Sequence, residues 1–134
     1  ETSQEHVKKG NKYDNIFMLD VSEHLEDEMF IKILGDIRVM LKDRGRLYIH
    51  TPNKKYFMEI LKSCGLLKQT YGHIAIRSAE EYVSLLSKNG FKVKIVYLDH
   101  YVKVLNVLNF LRNIPYVKKY FQARLFIKAW INES

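Results

Sequence analysis

The apolar run Ile16-Phe17-Met18-Leu19, flanked by Tyr13-Asp14-Asn15 and by Asp20-Val21-Ser22-Glu23-His24, constrains this chain more than any other segment. A run this short, bounded by polar residues, predicts a strand buried on both faces, as in a parallel sheet covered by helices. The period then changes. Met29/Phe30, Ile33/Leu34, Ile37 and Met40/Leu41 recur every three to four positions, which predicts an amphipathic helix. Glu26, Asp27 and Glu28 in its first turn and Lys42 and Arg44 at its end suit the helix dipole, and Gly45 reads as its stop. Leu47 to Thr51 reads as a second strand, closed by Pro52 and parallel to the first because a full helix crosses between them.

Further along, a short helix is expected around Tyr56, Phe57, Ile60 and Leu61, ending near Gly65, with Cys64 on its apolar face as a small core residue. Ser78-Ala79-Glu80-Glu81 is a capping box that opens a helix carrying Tyr82, Leu85 and Leu86, and Asn89-Gly90 stops it. Phe91, Val93, Ile95 and Tyr97 alternate with Lys92, Lys94 and Val96 as a half-exposed strand. Residues 1–12 read as a polar lead-in, 101–122 as a helical insertion or lid interrupted by Pro115, and Leu125 to Ile131 as a last strand. Strands alternating with helices argue for a single α/β domain over residues 1–134. Ligands of such sheets bind at the carboxyl ends of the strands, here the turns after Leu19 and Thr51.

Composition narrows the class. At 47% apolar and 28% charged residues the chain is too hydrophobic for disorder, and it has no apolar stretch of the ~18 residues that a spanning helix needs. The lone Cys64 forms no intrachain disulfide and Glu1 to Gly10 lacks the features of a secretory signal, so a reducing, cytoplasmic setting is expected. The six glycines are too widely spaced for a GxGxxG or P-loop cradle. The net charge of +7 is uneven: residues 1–53 sum to −2 and residues 54–134 to +9. Either a solvated face or an anionic partner such as RNA, a nucleotide or a lipid head group fits that excess.

Asp20-Val21-Ser22-Glu23-His24 places two carboxylates and an imidazole in one strand-to-helix turn. Two readings stand side by side: helix caps with a hydrogen-bonded histidine, or a chemical site. Tyr13-Asp14-Asn15-Ile16 running into Leu19-Asp20-Val21-Ser22-Glu23-His24-Leu25, then Met40 to Leu47, Thr51-Pro52-Asn53, Gly72-His73 and Asn89-Gly90-Phe91, resembles the C-terminal half of a class I S-adenosylmethionine-dependent methyltransferase. The type 11 and type 12 group, with the ubiquinone-pathway O-methyltransferases, is the most similar part of that superfamily.

The resemblance implies a Rossmann-like sheet represented by its strands 4, 5, 6 and 7, the last antiparallel and inserted between its neighbours. It implies that Leu19, Asp20 and Val21 border the cofactor, that Glu23 and His24 face the acceptor, and that Thr51-Pro52-Asn53 forms another wall. The implied activity is O- or N-methyl transfer to a small or lipidic metabolite, with His24, His73 or Glu23 handling the proton. The family's glycine-rich loop and ribose-binding acid are missing, so the isolated chain is expected to bind S-adenosylmethionine weakly and to be inactive. A second copy or partner chain is then expected at the open sheet edge. Asp20, Glu23, His24 and His73 are also similar to the divalent-cation ligands of small-RNA 2′-O-methyltransferases, which implies Mg²⁺ or another divalent cation. A non-catalytic module holding RNA or a lipid head group through its basic second half is the alternative.

Overall fold

The computed structural model describes residues 2–68, 72–98 and 114–132. They form α1 (Ser3–Lys8), β1 (Tyr13–Leu19), α2 (Asp27–Met40), β2 (Leu41–Pro52), α3 (Phe57–Ser63), α4 (Ala79–Lys88), β3 (Phe91–Leu98) and β4 (Arg124–Ile131), with 3-10 turns at Ser22–His24 and Lys118–Tyr120. The strands make one sheet in the order β1-β2-β4-β3. β1 runs parallel to β2, and β4 is antiparallel to both β2 and β3. The expected α/β architecture, with its antiparallel last strand inserted between the other two, is therefore the observed one.

The core lies between one face of this sheet and the helices α2 and α4. Met18, Leu47, Ile49, Leu125, Ile127 and Ala129 point from the strands towards Phe30, Leu34 and Ile37 of α2 and Tyr82 and Leu86 of α4. α4 starts where the capping box predicts: the Ser78 hydroxyl accepts from the Glu81 amide, and the Glu81 carboxylate accepts from the Ser78 amide. It ends at Asn89, and Gly90 follows in the left-handed conformation with φ +84°.

Several expectations need correction. The polar lead-in contains a helix, α1, with its own capping box between Thr2 and Glu5, and Val7 packs against the core. α2 stops at Met40 and β2 begins at the next residue, so Lys42 and Arg44 belong to the strand and Gly45 is not a helix stop. The cause is burial: Leu41 is drawn into the core and pairs with Tyr13, which leaves a bulge before the Asn15–Arg46 pair. Gly45 serves that bulge, because a Cβ there would lie 2.9 Å from both Leu41 Cδ2 and the Lys42 carbonyl oxygen. Cys64 caps α3 and is exposed, so it is no core residue. Of the expected insertion at 101–122, residues 101–113 lie outside the described residues, and the remainder is a turn followed by the 3-10 turn at Lys118–Tyr120.

The prediction that β1 is buried on both faces also needs correction. Phe17 is 61% exposed and Leu19 54%, because the helices α2 and α4 both pack on the opposite face. On the other face, bare of helices among the described residues, Phe17 stacks on Tyr48 with ring centroids 5.0 Å apart, and Tyr48 stacks on Phe126 at 5.9 Å.

Two tests follow from this packing. Leu34→Ala, at a fully buried position, should cost about 2–5 kcal/mol in a urea unfolding experiment. A second test concerns Lys55, which donates to Glu80 at 2.6 Å and, as the main cause, holds that carboxyl down to about 2 from its ordinary 4.5. The stability this pair contributes is complete above pH 4.5 and is lost as pH falls through about 2. Lys55→Met should therefore destabilise at pH 6 and have little effect near pH 2, read from urea midpoints at the two values.

Candidate functional site

The carboxyl ends of β1 and β2 lie side by side, and the parallel register that pairs Leu19 with His50 brings their turns together. At Asp20 the chain adopts φ +52°, a left-handed conformation that Asp tolerates better than most residues. The Asp20 amide donates to the His50 carbonyl at 2.9 Å, and its carboxylate accepts from the Arg124 guanidinium. His50 Nδ1 lies 3.3 Å from the same carboxylate. Asp20 thus sits between Arg124 of β4 and His50 of β2.

Glu23 and His24 take the other direction. Glu23 is 1% exposed and lies in the 3-10 turn Ser22–His24. Its carboxylate accepts from the Thr51 hydroxyl at 3.2 Å. Thr51 also lies 3.2 Å from the Tyr82 hydroxyl, which is 2.7 Å from that of Ser22. Each hydroxyl has one proton, so a Thr51 that donates to Glu23 must accept from Tyr82, and Tyr82 must accept from Ser22. The result is a buried one-way chain of donors that ends on a carboxylate.

His24 is exposed, and its Nδ1 lies 2.6 Å from the Gly72 carbonyl oxygen. A carbonyl only accepts, so Nδ1 carries the proton and the neutral ring keeps its lone pair on Nε2. Gly72 has φ +82°, and a Cβ there would come within 3.3 Å of His24 Nδ1, so the contact depends on glycine. His73 follows directly, its ring centroid 5.0 Å from that of His24 in an edge-on arrangement. The buried His73 Nδ1 has no hydrogen-bonding partner among the described residues. Ligand atoms of Glu23, His24 and His73 all lie within 4.8 Å of one another.

Of the residues singled out from the sequence, the structure thus gathers Glu23, His24 and His73. Asp20 stands apart from this cluster, beside Arg124 and His50. Leu19 and Val21, on either side of Asp20, are half exposed, at 54% and 44%. Neither Asp20 nor Glu23 caps α2, whose N-cap is Glu26 with no side-chain bond. Thr51 and Asn53 are fully buried, and the Asn53 amide donates to the carbonyls of Lys119 and Gln122. The sequence alone did not point to Tyr82, Arg77, His50 or Arg124 as site residues: Tyr82 and His50 lie within a helix and a strand where they look structural, and Arg77 and Arg124 lie just outside the expected elements. Arg77 carried one usable signal: a lone basic residue directly before a capping box.

A cleft of about 210 Å³ opens beside His73, lined by Lys54, Glu59, Ser63, Ile74 and Ile76. Lys54, on the wall of this cleft, donates to the Glu81 carboxylate at 2.7 Å. Burial pushes the Glu81 carboxyl up, but Lys54 and the Ser78 amide together outweigh it and hold it below its ordinary value.

Residues 1–95 match a family model described as a methyltransferase domain. No curated protein matches the chain in sequence. A SAM-dependent methyltransferase from Archaeoglobus fulgidus has a similar structure, with TM-score 0.70 and 19% identity over 97% of this chain and 66% of the other. Magnesium protoporphyrin IX methyltransferase from Synechocystis, solved with bound SAH, gives 0.60 and 18% over 95% of this chain and 48% of its own. The small RNA methyltransferase HEN1 gives 0.61 and 16% over 94% and 14%. The chain therefore spans less than two thirds of each of these relatives.

The hydroxyl chain is testable. Tyr82→Phe removes its middle member and leaves Ser22 and Thr51 each one bond short. It should lower stability by about 1–3 kcal/mol in urea unfolding.

Proposed function

The chain belongs to the methyltransferase domain family, and from that premise we propose that it supplies the acceptor side of an S-adenosylmethionine-dependent O- or N-methyltransferase. The observation that carries this reading is the convergence of Glu23, His24 and His73 at the carboxyl end of the sheet. The cofactor supplies an electrophilic methyl group on a sulfonium. Leu19, Asp20 and Val21 would border it, and the exposed Leu19 and Val21 offer apolar surface for that purpose. The acceptor is a small or lipidic metabolite whose hydroxyl or amine enters beside His73. It would lose its proton to His24 or His73 as its oxygen or nitrogen bonded to the methyl carbon, while the carbon–sulfur bond broke and its electron pair went to the sulfur, leaving a neutral thioether. Holding acceptor and methyl group in line supplies most of the rate.

The same three residues form the metal reading. One buried carboxylate and two imidazoles suit Mn²⁺ or a similar transition ion better than Mg²⁺, which prefers oxygen ligands. The His24 Nδ1–H bond to the Gly72 carbonyl orients its ring in the way that metal-bound imidazoles are oriented. Asp20, engaged by Arg124, is left out of this ligand set. Titrating Mn²⁺ should broaden the His24 and His73 ring signals together, and Glu23→Gln should weaken that effect. Rings that stay sharp at millimolar Mn²⁺ would remove the metal and leave the imidazoles as bases.

The widely spaced glycines offer no turn to grip the methionine end of the cofactor, so we propose that this chain alone binds S-adenosylmethionine weakly and lacks activity. Isothermal titration should give little or no heat; a submicromolar Kd would refute the proposal. β1 lies at the sheet edge and next to the bare face of Phe17, Tyr48 and Phe126, where a second copy or partner chain would pack. No helix among the described residues is long and apolar enough to cross a membrane. A cytoplasmic setting accords with the single cysteine.

A second reading has one observation in its favour. The bare face carries Lys92, Lys94, Arg124 and Lys128, with the Lys128 ammonium 6.0 Å from the Tyr48 ring centre. An anionic partner such as single-stranded RNA would suit that charge. Binding of a uridine oligonucleotide that falls steeply between 50 and 200 mM salt, numbers set by counterion release at roughly six to ten phosphate contacts, would support it. No binding at low salt removes it.

A further inference from the structure

Arg77 is 4% exposed, and its guanidinium donates no hydrogen bond to the side chains of Glu23, His24 or His73. It donates instead to the backbone on both sides of them. Nη1 reaches the carbonyls of Ser22 at 2.8 Å and Ala75 at 3.2 Å, and Nη2 reaches that of Leu25 at 2.7 Å. Ser22 and Leu25 bracket Glu23 and His24, and Ala75 lies two residues beyond His73. A fourth tie closes the pair, because the Ala75 amide donates to the Glu23 carbonyl at 2.9 Å.

The guanidinium is itself held. Nε and Nη2 both donate to Asp27 Oδ1, at 2.9 and 2.6 Å, and the Phe30 ring centre lies 4.8 Å from Cζ. Ser22 and Ala75 are fifty-three residues apart in sequence, and no helix or strand ladder joins the two segments that carry them. Two single bonds join them directly, from His24 Nδ1 to the Gly72 carbonyl and from the Ala75 amide to the Glu23 carbonyl, and Arg77 adds a planar cation whose donors bridge both segments at once. A lysine ammonium has three donors at one point and cannot span the same carbonyls.

From this arrangement we propose that Arg77 is the positioning residue of the site: it holds the Glu23–His24 turn and the His73 segment at the separation that lets the three side chains converge. This rests on the acceptor-side reading above and adds a residue outside the cluster that sets its geometry. Arg77 is not a base or a ligand. Its effect is on the distance between groups that are.

The first measurement needs no metal. In the wild-type chain the His24 and His73 rings should give a ring-to-ring NOE, and so should Phe17 and Tyr48, whose stacked rings are 5.0 Å apart on the other face of the sheet. Arg77→Lys should abolish the histidine NOE while the Phe17–Tyr48 NOE persists. If both persist, Arg77 does not set the spacing and the proposal is overturned. If Arg77→Lys fails to fold, Asp27→Ala decides. It leaves the guanidinium in place and removes the oxygen that accepts from both Nε and Nη2, on a side chain that is 66% exposed, so it should weaken the histidine NOE, and an unchanged NOE overturns the proposal.

The second measurement is Mn²⁺ affinity from the ring broadening. Outer residues that orient metal ligands usually matter by about 10–100-fold, and Arg77→Lys should lose at least the lower figure. A residue important only for folding would lower the melting temperature and leave the affinity of the folded chain unchanged. Unchanged affinity overturns the proposal. A wild-type chain that shows the histidine NOE but binds no Mn²⁺ removes the metal reading and leaves the positioning role to be decided by the NOE alone.

Discussion

The register of β2 is the constraint on which the rest depends. This strand is bonded on both sides, to β1 in parallel and to β4 in antiparallel, and Leu47, Ile49 and Thr51 on it are fully buried. Side chains alternate along a strand, so a slip of one residue would expose all three and bury Tyr48 and His50 in their place. The same register sets the chemistry at the sheet's end. Thr51 arrives on the core face, under Glu23 and Tyr82, while His50 arrives on the bare face beside Asp20 and Arg124.

Two polar groups of different character therefore share one strand-to-helix turn. On the bare side, Asp20 is paired with the Arg124 guanidinium and stands in a left-handed backbone conformation that turns the chain off β1. On the core side, Glu23 is buried at the end of a row of hydroxyls, next to two imidazoles. A buried carboxylate without partners would be very unfavourable. Thr51 supplies the partner through its side chain, and Arg77 and Ala75 supply the backbone ties that hold the turn in place.

Elements with a local cause were legible in the sequence. Ser78 and Glu81 specify the start of α4 through bonds three residues apart, and Asn89-Gly90 specifies its end, so nothing distant can override them. The alternation from Phe91 to Tyr97 is likewise a local signature of a half-covered strand. Where a distant contact decided, the local reading failed. Lys42, Arg44 and Gly45 look like a helix terminus, yet the pairing of Leu41 with Tyr13 pulls them into β2. Cys64 has apolar neighbours in sequence, but it caps α3 at an exposed position. In the candidate site, Glu23, His24 and His73 stood out because their residue types are chemically suggestive. Tyr82 and Arg77 did not, because a tyrosine on an amphipathic helix and an arginine before a cap have ordinary structural uses.

By itself the sequence determined the α/β order of elements, the parallel first pair of strands, the capping of α4 and the turn that concentrates Asp20, Glu23 and His24. Each of these follows from residues within a few positions of one another, where periodicity and short-range hydrogen bonds operate. Only the tertiary structure decided that Asp20 turns to Arg124, a residue more than one hundred positions away, while Glu23 turns to Thr51. It alone brought His73 against His24 and laid Arg77 across the two segments that carry them. Those choices depend on which side of a buried strand each chain segment reaches, and burial against distant residues has no local trace.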